Sequence, residues 1–228
     1  MKTIAEQLQS VYQAIHNCAA ECATEHKTTL LAVSKKHPAQ AIRDAYQAGQ
    51  RAFGENYAQE AASKKAELPD LPEIEWHFIG PIQSNKTRLI ADTFDWVQSV
   101  DRAKIARRLN EQRDTSLAPL NICLQVNISL KDNKSGVHPD DMMPLAELVD
   151  KLPYLTLRGL MCIGSATDDI AVQQAEFSTM QQLFSQLKDN YASVDTLSMG
   201  MSGDWQLAIK SGATMIRLGT AIFGSRGN

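Results

Sequence analysis

The sequence predicts a single (β/α)8 TIM barrel, an α/β fold, with an extra helix in front of it. Three observations lead there. Short runs rich in β-branched or aromatic residues alternate with stretches of helical period. Eight such runs follow an opening helix, and eight parallel strands close a barrel. The 228 residues leave no room for a second domain beside eight units, so one domain is expected over 1–228. Alternation implies parallel pairing, because each crossover needs a helix to return the chain. An open doubly wound sheet is the alternative, and no Gly-x-Gly-x-x-Gly follows the first strand to support it.

The elements follow in order. Ile4, Leu8, Val11, Ile15, Cys18 and Cys22 form one helical stripe. The eight expected strands are Thr29–Ser34, Arg51–Gly54, Glu75–Gly80, Phe94–Ser99, Asn121–Ile128, Thr156–Ile163, Val194–Ser198 and Thr214–Leu218. Asp101 is read as an N-cap, with Ile105 and Leu109 on one helical face. Met142, Leu145, Val149 and Leu152 make another stripe, and Phe177, Met180, Phe184 and Leu187 a third. Trp205, Ala208 and Ile209 make a fourth, closed by Gly212. The clearest surface loops are 68–72 and 131–136.

Composition narrows the function classes. There are 23 basic and 26 acidic side chains, so nothing draws the chain toward nucleic acid or an anionic membrane. No apolar run reaches the roughly 20 residues a bilayer span needs. Glu6 and Gln7 interrupt any secretory signal, so a cytoplasmic location is expected. Cys18 and Cys22, flanked by His16 and His26, raise a metal site. Their place in the apolar stripe reads better as packing, and no metal is expected. Cys123 and Cys162 sit in apolar runs and read as reduced core residues.

In these barrels chemistry sits at the C-terminal ends of the strands. Strand one ends Ser34-Lys35-Lys36-His37. A lysine at the mouth of an apolar strand suits a Schiff-base nucleophile, because only the neutral amine attacks an aldehyde; a solvated lysine is the plain alternative. Asn56, after strand two, either caps the next helix or offers its amide to a ligand. In strand three, His77 alternates with Phe78, so one of them faces the barrel axis. His77 reads as a packing residue, or as a ring stacked on a flat cofactor.

The last two strands end in turns rich in glycine and hydroxyls, Ser198-Met199-Gly200-Met201-Ser202-Gly203 and Leu218-Gly219-Thr220. Such turns suit a phosphate dianion, and phosphate sites recur at this place in the fold. The alternative is a pair of ordinary capped turns, with Ser202 as N-cap. Arg217, one residue before Leu218-Gly219, is always charged and needs an acceptor. A pyridine nitrogen is one, and a nearby carboxylate is the other. An arginine partner would leave that nitrogen unprotonated and the ring a weaker electron sink.

Seven motifs occur in order: Ala32-Val33-Ser34-Lys35, Phe53-Gly54-Glu55-Asn56-Tyr57, the run from Trp76 to Lys86, Lys134-Ser135-Gly136, Gly159-Leu160-Met161, Ser198 to Ser202, and Arg217 to Gly224. Together they resemble the pyridoxal phosphate homeostasis proteins, whose fold is similar to the N-terminal barrel of alanine racemase. The resemblance covers about 28–226. It implies pyridoxal 5′-phosphate in Schiff-base linkage to Lys35. It implies Ser202, Gly219 and Thr220 around the phosphate, Arg217 at the pyridine nitrogen, and Asn56, His77 and Met201 lining the pocket. Periodicity alone does not say which of Lys35 and Lys36 faces inward; the match to Ala-Val-Ser-Lys selects Lys35. Gly164 stands where this family often carries proline.

The resemblance implies a carrier and buffer that limits free cofactor and passes it to apo enzymes, with no firm catalytic turnover. The alternative is an amino-acid racemase. Two-base racemisation needs a second base. In alanine racemase a tyrosine from a separate domain supplies it, and this chain ends just after the barrel. Tyr57 is the nearest substitute. A phosphosugar enzyme with an aldolase-type Lys35 is a third reading. Lys134 is read as an aid to cofactor release or as a second site, with a solvated loop lysine as the alternative. A monomer is expected, because no long exposed apolar helix face announces a partner.

Overall fold

The computed structural model describes residues 2–22, 28–131 and 133–225. Eight strands form a closed barrel in sequence order: β1 (Thr29–Val33), β2 (Ala52–Glu55), β3 (Glu75–Phe78), β4 (Trp96–Val100), β5 (Leu120–Val126), β6 (Leu155–Cys162), β7 (Thr196–Ser198) and β8 (Met215–Leu218). Every neighbouring pair is parallel, and β8 closes on β1 with Leu31 opposite Arg217. The expected strands all form, with ends displaced by a residue or two.

The helices are α1 (Ile4–Glu21), α2 (Ala39–Gln47), α3 (Ala58–Glu67), α4 (Thr87–Thr93), α5 (Ala103–Gln112), α6 (Met142–Asp150), α7 (Ile170–Asn190), α8 (Trp205–Lys210) and α9 (Thr220–Phe223). Strand residues alternate between two environments, as the pleat requires. Leu30, Phe53, Trp76 and Phe78 join the layer under the helices, with Phe94, Leu109 and Phe177. Leu31, Ala52, Met215 and Ile79 cluster inside the barrel, as do Trp96, Cys123 and Met161.

The extra helix α1 begins on a Thr3–Glu6 capping box and packs against α2, α8 and α9. Leu8, Ile15 and Cys18 are its buried stripe, with Ile4, Val11 and Cys22 at the margins. His26 lies outside the described residues. The Phe177-Met180-Phe184-Leu187 stripe is fully on the inner face of α7.

Three capping expectations are corrected. Asp101 does not cap α5: Arg102 holds that place, and its Nη1 donates to Asp101 Oδ1 at 2.5 Å. Asn56 does not cap α3, whose N-cap is Tyr57. Ser202 does not cap α8, whose N-cap is Asp204, the residue whose carboxylate accepts the Met201 amide at 2.6 Å. In the first case a neighbouring guanidinium takes the carboxylate. In the other two the helix starts later than the polar residue. Among the described residues no helix is long and apolar enough to cross a membrane.

Candidate functional site

Closure in sequence order makes β7, β8, β1, β2 and β3 consecutive neighbours. Residues from the two ends of the chain therefore meet at one arc of the C-terminal mouth. Lys35 follows β1 and Asn56 follows β2. Met201 and Ser202 follow β7. Arg217 lies within β8, and Gly219 and Thr220 follow it.

The two adjacent lysines are separated by the backbone. Leu31 faces the interior, and Ser34 faces the helix layer, where its Oγ donates to Glu55 Oε1 at 2.7 Å. Lys35 is half-buried in the turn that follows β1. Lys36 is exposed, adopts φ +63°, and gives its amide to Glu60 Oε1 at 2.6 Å.

A buried ion pair braces this turn from behind. Lys64 Nζ donates to Glu55 Oε1 at 2.7 Å, to Glu60 Oε1 at 2.6 Å and to the Ser34 carbonyl at 2.9 Å. Burial raises the Glu55 carboxyl above its ordinary pKa, and Lys64 and Ser34 oppose that shift. A buried charge without such partners would neutralise instead. The network ties Ser34 and Lys36, on either side of Lys35, to β2 and α3.

Asn56 carries a specific signal. Its Oδ1 is buried and has no hydrogen-bond partner among the described residues. Buried amide oxygens are seldom left so. Gly80 packs tightly against this residue: a Cβ on it would stand 2.2 Å from the Asn56 carbonyl oxygen. On the opposite side, Gly219 is the N-cap of α9 and lies against β1, where a Cβ would be 3.0 Å from the Val33 carbonyl. Thr220, Ser202 and Met201 are exposed around the two turns. First-turn helical amides have no intrahelical acceptor.

Arg217 is 5% exposed. Its Nη1 donates to Ser198 Oγ at 2.8 Å and its Nη2 to the Cys162 carbonyl at 2.7 Å. Burial pushes its guanidinium below the ordinary pKa. These two partners are a hydroxyl and a carbonyl, so the carboxylate partner considered from the sequence is not among them. A group with donors alone suits an unprotonated acceptor such as a heteroaromatic nitrogen.

His77 lies deeper. Its ring is fully buried inside the barrel and stacks on Trp96 with centroids 5.1 Å apart and planes 13° from parallel. The ring thus stacks on a tryptophan of the next strand. Gln98 Nε2 lies 2.9 Å from His77 Nδ1, and Ser198 Oγ donates to Gln98 Oε1 at 2.7 Å. Four residues missed as site components therefore matter: Gln98, Ser198, Glu55 and Lys64. Gln98 left one trace, as a polar residue at an interior position of an apolar strand. Lys64 left none, because only folding brings it to the Ser34 carbonyl and to Glu55.

Residues 8–227 match the alanine racemase N-terminal domain family. A pyridoxal phosphate homeostasis protein of Pseudomonas aeruginosa is 55% identical over 99% of this chain and 97% of its own. One from Haemophilus influenzae is 55% identical over 92% and 90%. The structure of PipY from Synechococcus elongatus with pyridoxal phosphate bound superposes with a TM-score of 0.85, at 41% identity, over 97% of this chain and all of that one. By fold, by family match and by identity along nearly its whole length, this chain belongs to the alanine racemase N-terminal domain family and, within it, to the pyridoxal phosphate homeostasis proteins.

Proposed function

We propose that this chain binds pyridoxal 5′-phosphate at Lys35 and acts in pyridoxal phosphate homeostasis, as a carrier and buffer that hands the cofactor to apo enzymes. The observation that carries the reading is the arc of β7, β8, β1 and β2. It gathers a half-buried lysine, an orphaned buried amide oxygen, a donor-only arginine and a small-residue turn at the ends of adjacent strands. The names of the relatives and the cofactor bound to PipY supply its identity.

The group, when bound, supplies an aldehyde that condenses with an amine. The roles assigned to the chain's residues are those that the family resemblance implies. Lys35 provides the amine, held by the Ser34–Glu55–Lys64 brace. Gly219, Thr220 and Ser202 receive the phosphate, Asn56 and Met201 bound the ring, and Arg217 donates to the pyridine nitrogen. A donor that keeps its own proton leaves that nitrogen unprotonated, which suits storage better than carbanion chemistry. We place the protein in the cytoplasm as a monomer, with the cofactor site in one unit spanning 1–228.

The test is the visible spectrum of the protein and of Lys35→Ala after incubation with pyridoxal phosphate, followed by borohydride reduction and peptide mapping. The expected result is a yellow band lost in the variant and a reduced adduct on Lys35. An adduct on Lys36 would move the site, and no band in either protein would overturn the reading. Chiral analysis of alanine and serine separates carrier from racemase: inversion well above that of free cofactor would replace the first by the second.

A further inference from the structure

Four side chains cross the barrel interior in one hydrogen-bonded line: Arg217 on β8, Ser198 on β7, Gln98 on β4 and His77 on β3. The strands β4 and β7 are not neighbours, so the 2.7 Å bond between Gln98 and Ser198 spans the interior. All four residues are buried.

The line has a direction. Arginine can only donate, so Ser198 Oγ accepts from Nη1 and must send its own proton elsewhere. Gln98 Oε1 takes it. That fixes the Gln98 amide with its NH2 toward His77, whose Nδ1 must accept, leaving the imidazole proton on Nε2. Gln98 Nε2 is also 3.1 Å from Met215 Sδ, and the ring is clamped against Trp96. The far end of the line is rigid, so Ser198 presents its lone pair to Arg217 in one orientation. The Cys162 carbonyl holds the other terminal nitrogen at 2.7 Å.

We propose that Ser198 and Gln98 are positioning residues that aim the Arg217 guanidinium at the pyridine nitrogen of bound pyridoxal phosphate. This rests on the cofactor reading above. Neither residue touches the cofactor; both act through Arg217. A guanidinium fixed on two sides loses little freedom when it takes a third partner. One released from Ser198 would have to give up an N–H bond in a dry interior or turn away from the ring.

The experiment is a double-mutant cycle on the full chain, read by pyridoxal phosphate affinity and by the 15N resonance of ring-labelled cofactor, with circular dichroism to verify folding. Ser198→Ala is expected to weaken binding by about tenfold, the scale of one charge-assisted bond, and to displace the 15N resonance. Ser198→Thr, which keeps the hydroxyl, is expected to restore both. Gln98→Leu is a second probe and is expected to displace the resonance in the same sense. In an Arg217→Met background, Ser198→Ala and Gln98→Leu are expected to have no further effect, because the residue they act through is gone. Equal losses in both backgrounds would make the two residues merely structural and overturn the proposal, as would wild-type affinity and resonance in folded Ser198→Ala. Absence of binding by the wild-type chain would instead overturn the cofactor reading, and this inference with it.

Discussion

Lys64 Nζ stands 2.7 Å from Glu55 Oε1 behind the turn that carries Lys35, with 6% of the lysine side chain and none of the glutamate exposed. The pair joins α3 to β2, and through Ser34 it reaches the strand end that precedes Lys35. Breaking a buried pair leaves an unpaired charge, whereas replacing both partners by uncharged groups is much milder.

Lys64→Met is therefore expected to destabilise the fold by about 3 kcal/mol, because Glu55 loses its main partner and must stay buried unpaired or take up a proton. Lys64→Met combined with Glu55→Gln is expected to recover most of that loss. Urea unfolding of the two single variants and the double variant measures both. A double variant as unstable as the sum of the singles would mean that the two side chains do not form one unit.

Gly200 turns the chain between β7 and the Met201-Ser202 segment. It has φ +93°, and a Cβ there would lie 2.6 Å from Ala208 Cβ and 3.1 Å from Trp205 Cα. Strain and overlap act together, so Gly200→Ala is expected to lose about 2 kcal/mol and to weaken cofactor binding. At Gly203, three residues on, an added Cβ would meet nothing within 4 Å. Gly203→Ala is expected to change stability by less than about 0.5 kcal/mol. Equal effects at the two glycines, measured by denaturant unfolding, would contradict the geometry.

Asp70 tests the surface electrostatics. Hydrogen bonds from the Arg43 guanidinium hold its carboxyl down at a pKa of about 2. A lowered acid contributes stability that is fully present above the unfolded value of about 3.9 and is lost as pH falls through the folded value. In a carboxyl NMR titration, Arg43→Gln is expected to return the Asp70 midpoint to near the unfolded value. The difference in Tm between wild type and this variant is expected to be largest above about pH 4, to shrink as pH falls toward the folded value, and to vanish only below about pH 2. A midpoint unchanged by Arg43→Gln would show that arginine is not the cause.

The order and approximate place of all eight strands, the α1 and α7 stripes, and the strand ends where chemistry would sit were legible from the residues alone. Those features are local: period, β-branched content and turn residues are written in consecutive positions. The seven ordered motifs also carried the family resemblance. What consecutive positions could not supply was phase. Periodicity does not say which of Lys35 and Lys36 is the more buried; in the structure both lie in the turn after β1, Lys35 half-buried and Lys36 exposed with φ +63°. The same holds for His77, whose flat partner is Trp96 on the adjacent strand. Partners distant in the chain were decided by barrel closure alone. It brings Gln98 to Ser198, a hundred positions away, and Arg217 to the Cys162 carbonyl, because an interior of fixed circumference leaves each inward polar group only the few neighbours that the strand order provides.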